Sequence, residues 1–180
     1  PVAPELIERW LQSLFRQAIH LHANLEWDLR ANHLLRDAVG LAWAGRFFSG
    51  AQADVWMRTA AKLAVAQADE QLLPDGAHFE RSPYYHLETM DDWLALSFLL
   101  QDDHSRSVMR ETWQRAAEYI CWMRHPDGRV AQLNDGAAAA AESHLCSGES
   151  LGLSVDRDQR RGGRLFEGSG VVVWHGDGRS

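Results

Sequence analysis

Two short polar stretches carry most of the side chains that could do chemistry. The first is Asn32-His33, at the beginning of a helical pattern. The second is a long polar segment over residues 74–86, which holds two of the three tyrosines and two of the nine histidines. Loops on a rigid scaffold are where catalytic groups tend to collect, so we expect the functional residues in these stretches. The candidates from the second stretch are His78, Glu80, Arg81, Tyr84, Tyr85 and His86.

These residues suit proton transfer and the recognition of a carboxylate. The Asn32 amide is a neutral hydrogen-bond donor, and a tyrosine beside histidines can give or take a proton. Each residue also has a plainer interpretation. Asn32 is a good helix N-cap, His33 fits a surface or a core position, and Tyr84 with Tyr85 could pack between helices. The Glu-Arg pair of the second stretch could be an ordinary surface ion pair.

Histidines also suggest a metal site. Zinc ligands follow a small set of spacings, and the histidines near the two stretches match none of them. We therefore predict no metal ion in this segment, and the proton chemistry considered below needs no nucleotide or organic cofactor. The histidines in question are His22, His33, His78 and His86.

Five helical patterns must position these stretches. Apolar residues recur at helical spacing in each of them, and Pro-Asp-Gly turn sequences follow the third and the fifth. Short connections between such helices favour antiparallel hairpins, so we predict an all-α fold over residues 1–128. The predicted helices cover residues 5–26, 32–48, 52–73, 87–100 and 107–124.

The pattern changes after Gly128, and we interpret residues 129–180 as a linker and the start of a truncated β-sandwich domain. The stretch 147–163 is polar and rich in arginine and glycine, so it is predicted as a loop. Residues 171–174 are a β-branched run bounded by glycines, which predicts a strand. A single strand is not stable alone, so we expect it to pair with sequence beyond residue 180 rather than to pack as an extended tail.

The composition excludes some partners and permits others. The formal net charge of -7 does not suit binding to nucleic acid. An acidic polysaccharide would therefore need a locally basic groove on a protein that is otherwise acidic. Eight tryptophans permit a carbohydrate groove, because large aromatic rings stack on sugars as well as filling cores.

The sequence predicts neither a membrane segment nor a disulfide framework. No apolar run is long enough to span a bilayer, and the first residues carry no signal-peptide pattern. Cys121 lies in an apolar helical pattern and is predicted as a core residue. A disulfide with Cys146 stays open, because spacing alone does not argue for one. The bacterial periplasm and the cytoplasm both remain open as locations.

Several groups of residues together resemble the heparinase II/III-like family of polysaccharide lyases. The Glu-Arg-Ser-Pro-Tyr-Tyr-His sequence over residues 80–86 is the most specific of them. The resemblance covers most of the chain, in the order that the family has. The residues that carry it are 25–26, 30–35, 45–48, 74–86, 125–128, 134–135 and 169–173.

The resemblance implies an incomplete (α/α) toroid followed by a β-sandwich, with β-elimination of uronate-containing acidic glycans in the groove between them. Asn32 matches the residue that neutralises the uronate carboxylate, and His33 lies next to it. Tyr85 matches the tyrosine that acts as base, acid or both, and His86 matches the histidine beside it. A further catalytic histidine is expected in a C-terminal β-domain of the same protein. The candidates for substrate contacts are His78, Glu80, Arg81 and Tyr84.

The chemistry of elimination is consistent with these roles. An ionised carboxylate opposes further negative charge beside it, so a donor such as Asn32 must stabilise the enolate-like transition state. A tyrosine with a pKa of about 10 is a poor base at neutral pH. We therefore expect cationic neighbours, namely Arg81, His86 or His33, to favour the tyrosinate form of Tyr85.

Two other functions remain open on the sequence alone. A glycoside hydrolase on a similar scaffold would need two carboxylates flanking the scissile bond. A non-catalytic glycan-binding or scaffold protein would keep the fold without turnover. The product separates lyase from hydrolase, because only a lyase leaves an unsaturated, ultraviolet-absorbing uronate end. The candidate carboxylates for hydrolysis are Glu26, Asp28, Asp75, Glu80 and Glu88.

Overall fold

A computed structural model describes residues 2–29, 31–157 and 161–176 of the chain. These ranges form six helices and one two-stranded antiparallel sheet, which confirms the predicted helical fold with a short β segment at its C-terminal end. The helices are α1 Pro4–Ala23, α2 Ala31–Phe47, α3 Ala51–Gln71, α4 Pro83–Leu99, α5 Asp103–Met123 and α6 Glu142–Ser150, and the strands are β1 Gly162–Phe166 and β2 Val171–His175.

Two helical hairpins, α2–α3 and α4–α5, make the body of the fold. Leu34, Ala38 and Leu41 recur at helical spacing on α2, and all three are buried. Close approach of α3 requires a residue without a side chain on α2. A Cβ atom at Gly45 would lie 3.1 Å from the backbone nitrogen of Met57. The alanine-rich sequence of α3 and this glycine therefore allow the pair to pack tightly.

Three of the eight tryptophans fill the core. The side chains of Trp56, Trp93 and Trp113 have no exposed surface, so their burial stabilises the packing of α3, α4 and α5. In contrast, Trp10, Trp27 and Trp43 expose 55%, 61% and 60% of their surface. The aromatic content of the chain therefore serves core packing first, and three indole rings remain available at the surface of the helical layer.

Helix α4 begins at Pro83, four residues before its predicted start at Leu87. Ser82 is the N-cap and accepts a hydrogen bond from the backbone N–H of Tyr85 at 3.4 Å. Proline at the first helical position already has the backbone φ that a helix needs. The apolar period begins only at Leu87, which concealed this start. Residues 84–86 thus lie on the first turn of a helix, not in the predicted loop.

Helix α6 occupies part of the stretch that we predicted as a loop over residues 147–163. Its sequence of serine, glutamate and glycine has a weak apolar pattern, and tertiary packing holds it instead. Leu145 is fully buried. Gly148 lies so close to the Trp113 ring that a Cβ atom would overlap it. A short helix of poor intrinsic propensity therefore forms because it covers a core tryptophan.

The predicted strand pairs within the chain, so the expectation that it needs sequence beyond residue 180 is wrong. Strands β1 and β2 pair antiparallel, with Gly162 opposite His175 and Phe166 opposite Val171. The predicted loop over 147–163 hid the first strand of this hairpin. One face of the hairpin is exposed, with Val172 at 72%. The other face turns the buried Phe166 toward the helices.

The described residues contain no helix that is both long and apolar enough to cross a membrane. Cys121 is buried in α5, as its apolar pattern predicted, and Cys146 is exposed on α6. No disulfide joins the two residues. The hairpins are therefore held together by packing and hydrogen bonds rather than by a covalent link.

Candidate active site

Helices α2 and α4 lie side by side, because Arg36 bonds two carboxylates of α4. Its Nη2 donates to Glu88 Oε2 at 2.8 Å, and its Nε donates to Asp92 Oδ2 at 2.7 Å. Asn32 lies one helical turn before Arg36, and Tyr85 lies one turn before Glu88, on the same faces as the ion-paired side chains. The first turns of the two helices therefore present Asn32 and Tyr85 on one side of the helical layer.

The ion pair itself acts as a link between the helices. Burial raises the pKa of Asp92 to about 6, although the hydrogen bond and charge of Arg36 act to lower it. The same hydrogen bond to Asp92 raises the pKa of Arg36, against the effect of its partial burial. Because both carboxylates already engage Arg36, this cation fixes the spacing of α2 and α4 and is not a free ligand for an acidic sugar.

The α2 end of the site begins on unusual backbone. Ala31 has a φ of 50°, in the left-handed region that non-glycine residues rarely adopt. Asn32 follows it inside the helix, so it is not the N-cap that its residue type suggested. No other described residue forms a hydrogen bond with the Asn32 side chain. His33 Nδ1 lies 3.1 Å from Glu26 Oε2 in a half-exposed pair. Arg30 lies outside the described residues.

The α4 end is held by a turn that a distant loop supports. Arg81 precedes the N-cap and has a φ of 55°. The side-chain amide of Asn134 donates to the carbonyls of Glu80 and Arg81 at 3.1 and 3.0 Å. The hydroxyl of Ser82 donates to the Asp135 carbonyl at 3.1 Å. Residues 134–135 therefore fix the turn from which the first residues of α4 project, a role that their position in the sequence did not reveal.

The Tyr85 hydroxyl lies among carboxylates. The negative charge of Asp135, then partial burial and the charge of Glu80, raise the pKa of Tyr85, and a hydrogen bond with Asp135 adds to the effect. The expectation that cationic neighbours favour the tyrosinate is therefore wrong. The sequence placed three cationic candidates near Tyr85, but the loop carrying Asp135 brings an acid instead. Those candidates were Arg81, His86 and His33.

His78 and His86 lie behind the surface, because each is only 1% exposed. His86 Nδ1 accepts from the backbone N–H of His78 at 3.1 Å, and its Nε2 lies 2.9 Å from the Ala116 carbonyl. Burial lowers the pKa of His86 to about 4 and that of His78 to about 3. Both imidazoles are therefore neutral near pH 7, and they join the site to α3 and α5 from within.

Glu80 lies between the two ends of the site. Burial and the charge of Asp135 raise its pKa, whereas the charge of His33 lowers it. Glu80 in turn raises the pKa of Tyr85. His33 of α2 and Tyr85 of α4 are therefore each close enough to interact with the charge of Glu80. Tyr84 packs edge-to-face on Tyr85, with ring centroids 5.5 Å apart.

The described part of the chain contains no group of three or more histidine, cysteine, aspartate or glutamate side chains placed to hold a metal ion. Among the described residues, exposed positive charge near the site comes from Arg81, from His33 when it is protonated, and from the half-exposed Arg36, which is already ion-paired. The same region carries negative charge from the carboxylates of Glu26, Glu80 and Asp135. The helical layer alone thus offers an amide donor, a protonated phenol and little net positive charge.

Solved structures define the class of this fold. A crystal structure of heparinase III superposes with a TM-score of 0.74 at 21% sequence identity, covering 97% of this chain and 28% of that chain. A heparan sulfate lyase from Pedobacter heparinus gives a TM-score of 0.66 at 17% identity, over 91% of this chain and 29% of its own. At these identities the likeness shows the fold alone, which is part of the helical toroid of heparinases.

Residues 1–149 match the family model of the heparinase II/III N-terminus. The chain therefore belongs to the heparinase II/III family of polysaccharide lyases, as its motifs suggested. The matched region contains both ends of the site, from Asn32 through Tyr85 to Asp135.

Two curated relatives carry the name heparin-sulfate lyase. The one from Bacteroides stercoris is 29% identical over 89 residues, which cover 49% of this chain and 13% of the relative. The one from Bacteroides thetaiotaomicron is 26% identical over 144 residues, which cover 73% of this chain and 20% of the relative. The chain thus spans a fifth or less of the length of these relatives.

Proposed function

We propose that the protein carrying this chain is a carbon–oxygen lyase that cleaves uronate-containing acidic polysaccharides by β-elimination. The observation that supports the proposal is the pairing of α2 with α4, whose first turns carry Asn32 and Tyr85. The Arg36 ion pairs set the spacing of α2 and α4 there. An amide donor beside a phenol is the pair of groups that elimination needs. The names of the relatives add a polysaccharide substrate to this chemistry.

Asn32 and His33 have the role of binding the substrate carboxylate. The Asn32 amide has no other partner among the described residues. Glu26 orients the His33 ring at 3.1 Å, and when His33 is protonated it adds a charged donor. Hydrogen bonds from both residues to the carboxylate would stabilise the negative charge that develops when the adjacent carbon loses its proton.

Tyr85 has the role of the general acid. Its raised pKa keeps the hydroxyl protonated at neutral pH, which suits a group that donates a proton rather than one that takes it. A base removes the proton next to the carboxylate, the electron pair forms a carbon–carbon double bond, and the glycosidic carbon–oxygen bond breaks. Tyr85 then protonates the leaving oxygen. We assign the base to the catalytic histidine that the family resemblance places in a C-terminal β-domain.

His86 and His78 have positioning roles in this proposal. Both are buried and neutral, so neither reaches a bound sugar. His86 follows Tyr85 directly and is bonded on both ring nitrogens, so it fixes the first turn of α4 from beneath. Glu80 and Arg81 remain the proposed polar contacts to the sugar around the reacting ring, and Tyr84 is a proposed contact of the groove wall through its ring rather than its hydroxyl.

The experiment screens the whole protein against a panel of uronate polysaccharides and measures the growth of ultraviolet absorbance from the unsaturated product. Tyr85→Phe removes only the hydroxyl, and loss of a general acid lowers the rate by about 100-fold or more. Asn32→Ala removes one transition-state donor, which also lowers turnover by about 100-fold or more.

Tyr84→Phe is the matched control, because it removes a hydroxyl from the neighbouring ring and keeps the edge-to-face packing. We expect it to retain near wild-type turnover. If Tyr84→Phe is inactive and Tyr85→Phe is active, the match to the family is displaced by one residue. If no uronate polysaccharide gives an absorbing product, the lyase proposal is wrong, and a hydrolase or a non-catalytic glycan binder takes its place.

A further inference from the structure

Gln71, the last residue of α3, has a side chain with no exposed surface. Its Nε2 donates to the carbonyl of Ala31 at 2.8 Å and to Gln67 Oε1 at 2.6 Å. Its Oε1 lies 3.1 Å from His78 Nε2. Because both protons of the amide already go to oxygen acceptors, Oε1 must accept from His78. Both donor hydrogens and one acceptor position of this buried amide are therefore used, and they join α3 to Ala31 and to His78.

One hydrogen bond of the Gln71 amide reaches Ala31, the residue before Asn32. The Ala31 backbone is in the left-handed region at a φ of 50°, which is strained for a non-glycine residue. Such a conformation persists only where the surroundings fix it. The hydrogen bond from Gln71 to the Ala31 carbonyl supplies that constraint. The direction in which Asn32 leaves the backbone therefore depends on Gln71.

Another hydrogen bond of the Gln71 amide leads through His78 to His86, the residue after Tyr85. His78 Nε2 donates to Gln71 Oε1. The backbone N–H of His78 donates to His86 Nδ1 at 3.1 Å. His86 Nε2 is bound to the Ala116 carbonyl of α5 at 2.9 Å. The backbone N–H of Phe79 also donates to the Gln71 carbonyl at 2.9 Å. The path from Gln71 thus ends on the turn of α4 that carries the phenol.

We propose that Gln71 is a positioning residue that sets the spacing between Asn32 and Tyr85. The inference rests on the proposed lyase function for its kinetic consequence, but not for its geometry. An apolar side chain of similar size would fill the same volume without the free-energy cost of burying polar groups. The hydrogen bonds of Gln71 instead hold Ala31 and His78 in one arrangement, although His78 Nδ1 is buried without a hydrogen-bond partner among the described residues. That arrangement joins the two ends of the site.

The test compares Gln71→Met with Leu63→Ala in the whole protein. Leu63 is a buried residue of the same helix, but its apolar side chain takes no part in the hydrogen bonds of Gln71. A displacement of about 1 Å at a catalytic group lowers turnover by about 100-fold, so we expect kcat of Gln71→Met to fall by about 10- to 100-fold with a much smaller change in KM. Leu63→Ala should keep kcat within about threefold of wild type at a comparable or larger loss of melting temperature.

Gln71→Asn is the second variant, in case Gln71→Met does not fold. It keeps the amide but is one methylene shorter, so it cannot reach both the Ala31 carbonyl and His78. We expect a similar loss of kcat. Retention of wild-type kcat by either Gln71 variant would overturn the proposal. So would an equal loss of kcat in Leu63→Ala, because the effect would then be general destabilisation.

A crystal structure of the Gln71→Met variant gives a readout that does not depend on activity. We expect Ala31 to leave the left-handed region in Gln71→Met and the Asn32 side chain to move relative to Tyr85. An unchanged Asn32–Tyr85 geometry overturns the positioning role even if the wild-type protein shows no elimination. Absence of activity in the wild type contradicts the proposed function instead, so the two failures are distinguishable.

Discussion

Tyr85 is defined by the side chains around its hydroxyl more than by its own residue type. Asp135 and Glu80 raise its pKa, so the phenol stays protonated over the neutral range and acts as a donor. Asp135 comes from a loop that follows α5, and its backbone is fixed by the Ser82 hydroxyl at 3.1 Å. A carboxylate held there both orients the phenol and opposes its ionisation.

Asp135→Asn tests this relation at the scale of one residue. The variant keeps the shape of the side chain and the backbone contact to Ser82, but it removes the charge that most strongly raises the pKa of Tyr85. We therefore expect the pKa of Tyr85 to fall toward its usual value. The measurements are the titration of a labelled Tyr85 ring by NMR and the alkaline limb of the elimination rate, which should move to lower pH.

Glu80→Gln is the companion variant, because Glu80 also raises the pKa of Tyr85 but contributes less than Asp135. Its shift should have the same direction and a smaller size. An alkaline limb and a ring titration that stay in place in Asp135→Asn would contradict the role of this carboxylate.

The sequence could identify the polar residues of the site but not their surroundings. Asn32 and Tyr85 could be matched through local motifs. Whether His33 or His86 faces solvent depends on which side of a helix meets the core, and α4 had no visible start before Leu87. Asp135 could not be predicted as a neighbour of Tyr85, because the two meet only through the packing of a loop after α5 on the turn before α4.

At the scale of elements, α6 contacts α4 through a histidine–aspartate pair whose strength depends on pH. His144 Nδ1 lies 2.9 Å from Asp91 Oδ1, across the two helices. The hydrogen bond with Asp91 raises the pKa of His144, and the charge of Asp91 adds to this effect, against partial burial. The contact therefore strengthens α6 only while the imidazole is protonated.

This contact predicts a dependence of stability on pH. Because the pKa of His144 is higher in the folded chain than in the unfolded chain, its contribution is fully present below about pH 6.5, the unfolded value. It is lost as the pH rises through the raised folded pKa. A half-exposed pair of this kind is worth about 0.2–1 kcal/mol, so the loss of unfolding free energy between pH 6 and pH 8 should be modest.

The measurement is chemical denaturation at pH 6 and pH 8 for the wild type, Asp91→Asn and His144→Gln. Both variants should reduce the difference between the two pH values, because either one removes the ion pair. Asp103→Asn is a control, since that carboxylate is exposed and its contact is with Arg106. Wild-type pH dependence in both variants of the pair would show that the contact does not form in solution.

The long helices could be predicted from their apolar period, whereas their starts and the short elements could not. Helix α5 begins at Asp103 rather than at Ser107, because Asp102 caps it by accepting from the Ser105 N–H at 2.8 Å. Helix α6 and strand β1 have sequences rich in polar residues and glycine, so neither shows a pattern of its own. Each forms because a partner covers it: Trp113 beneath Gly148 for the helix, and β2 for the strand.

At the scale of the whole molecule, the hairpin joins the helical layer through several aromatic contacts and hydrogen bonds. Phe166 lies 4.8 Å from the Tyr119 ring, edge to face, and its ring also supports the Arg164 guanidinium at 4.7 Å. Asp75 Oδ2 accepts from the Ser169 backbone N–H at 2.7 Å. The turn of the hairpin is therefore tied to the same segment, residues 74–86, that leads into the site.

Phe166→Ala tests whether the hairpin belongs to the cooperative core. The Phe166 side chain is 1% exposed, and truncation of a buried phenylalanine costs about 3–5 kcal/mol of unfolding free energy. Leu165→Ala is the matched control, because the preceding residue of the same strand points to the opposite face and is 57% exposed. Such a surface change should stay within about 0.5 kcal/mol.

The measurement is the denaturation midpoint followed by far-ultraviolet circular dichroism, which reports the helices. If the two variants have the same midpoint, the hairpin unfolds independently of the helical layer. If only Phe166→Ala lowers it, burial of one strand residue stabilises helices that are far from it in the sequence.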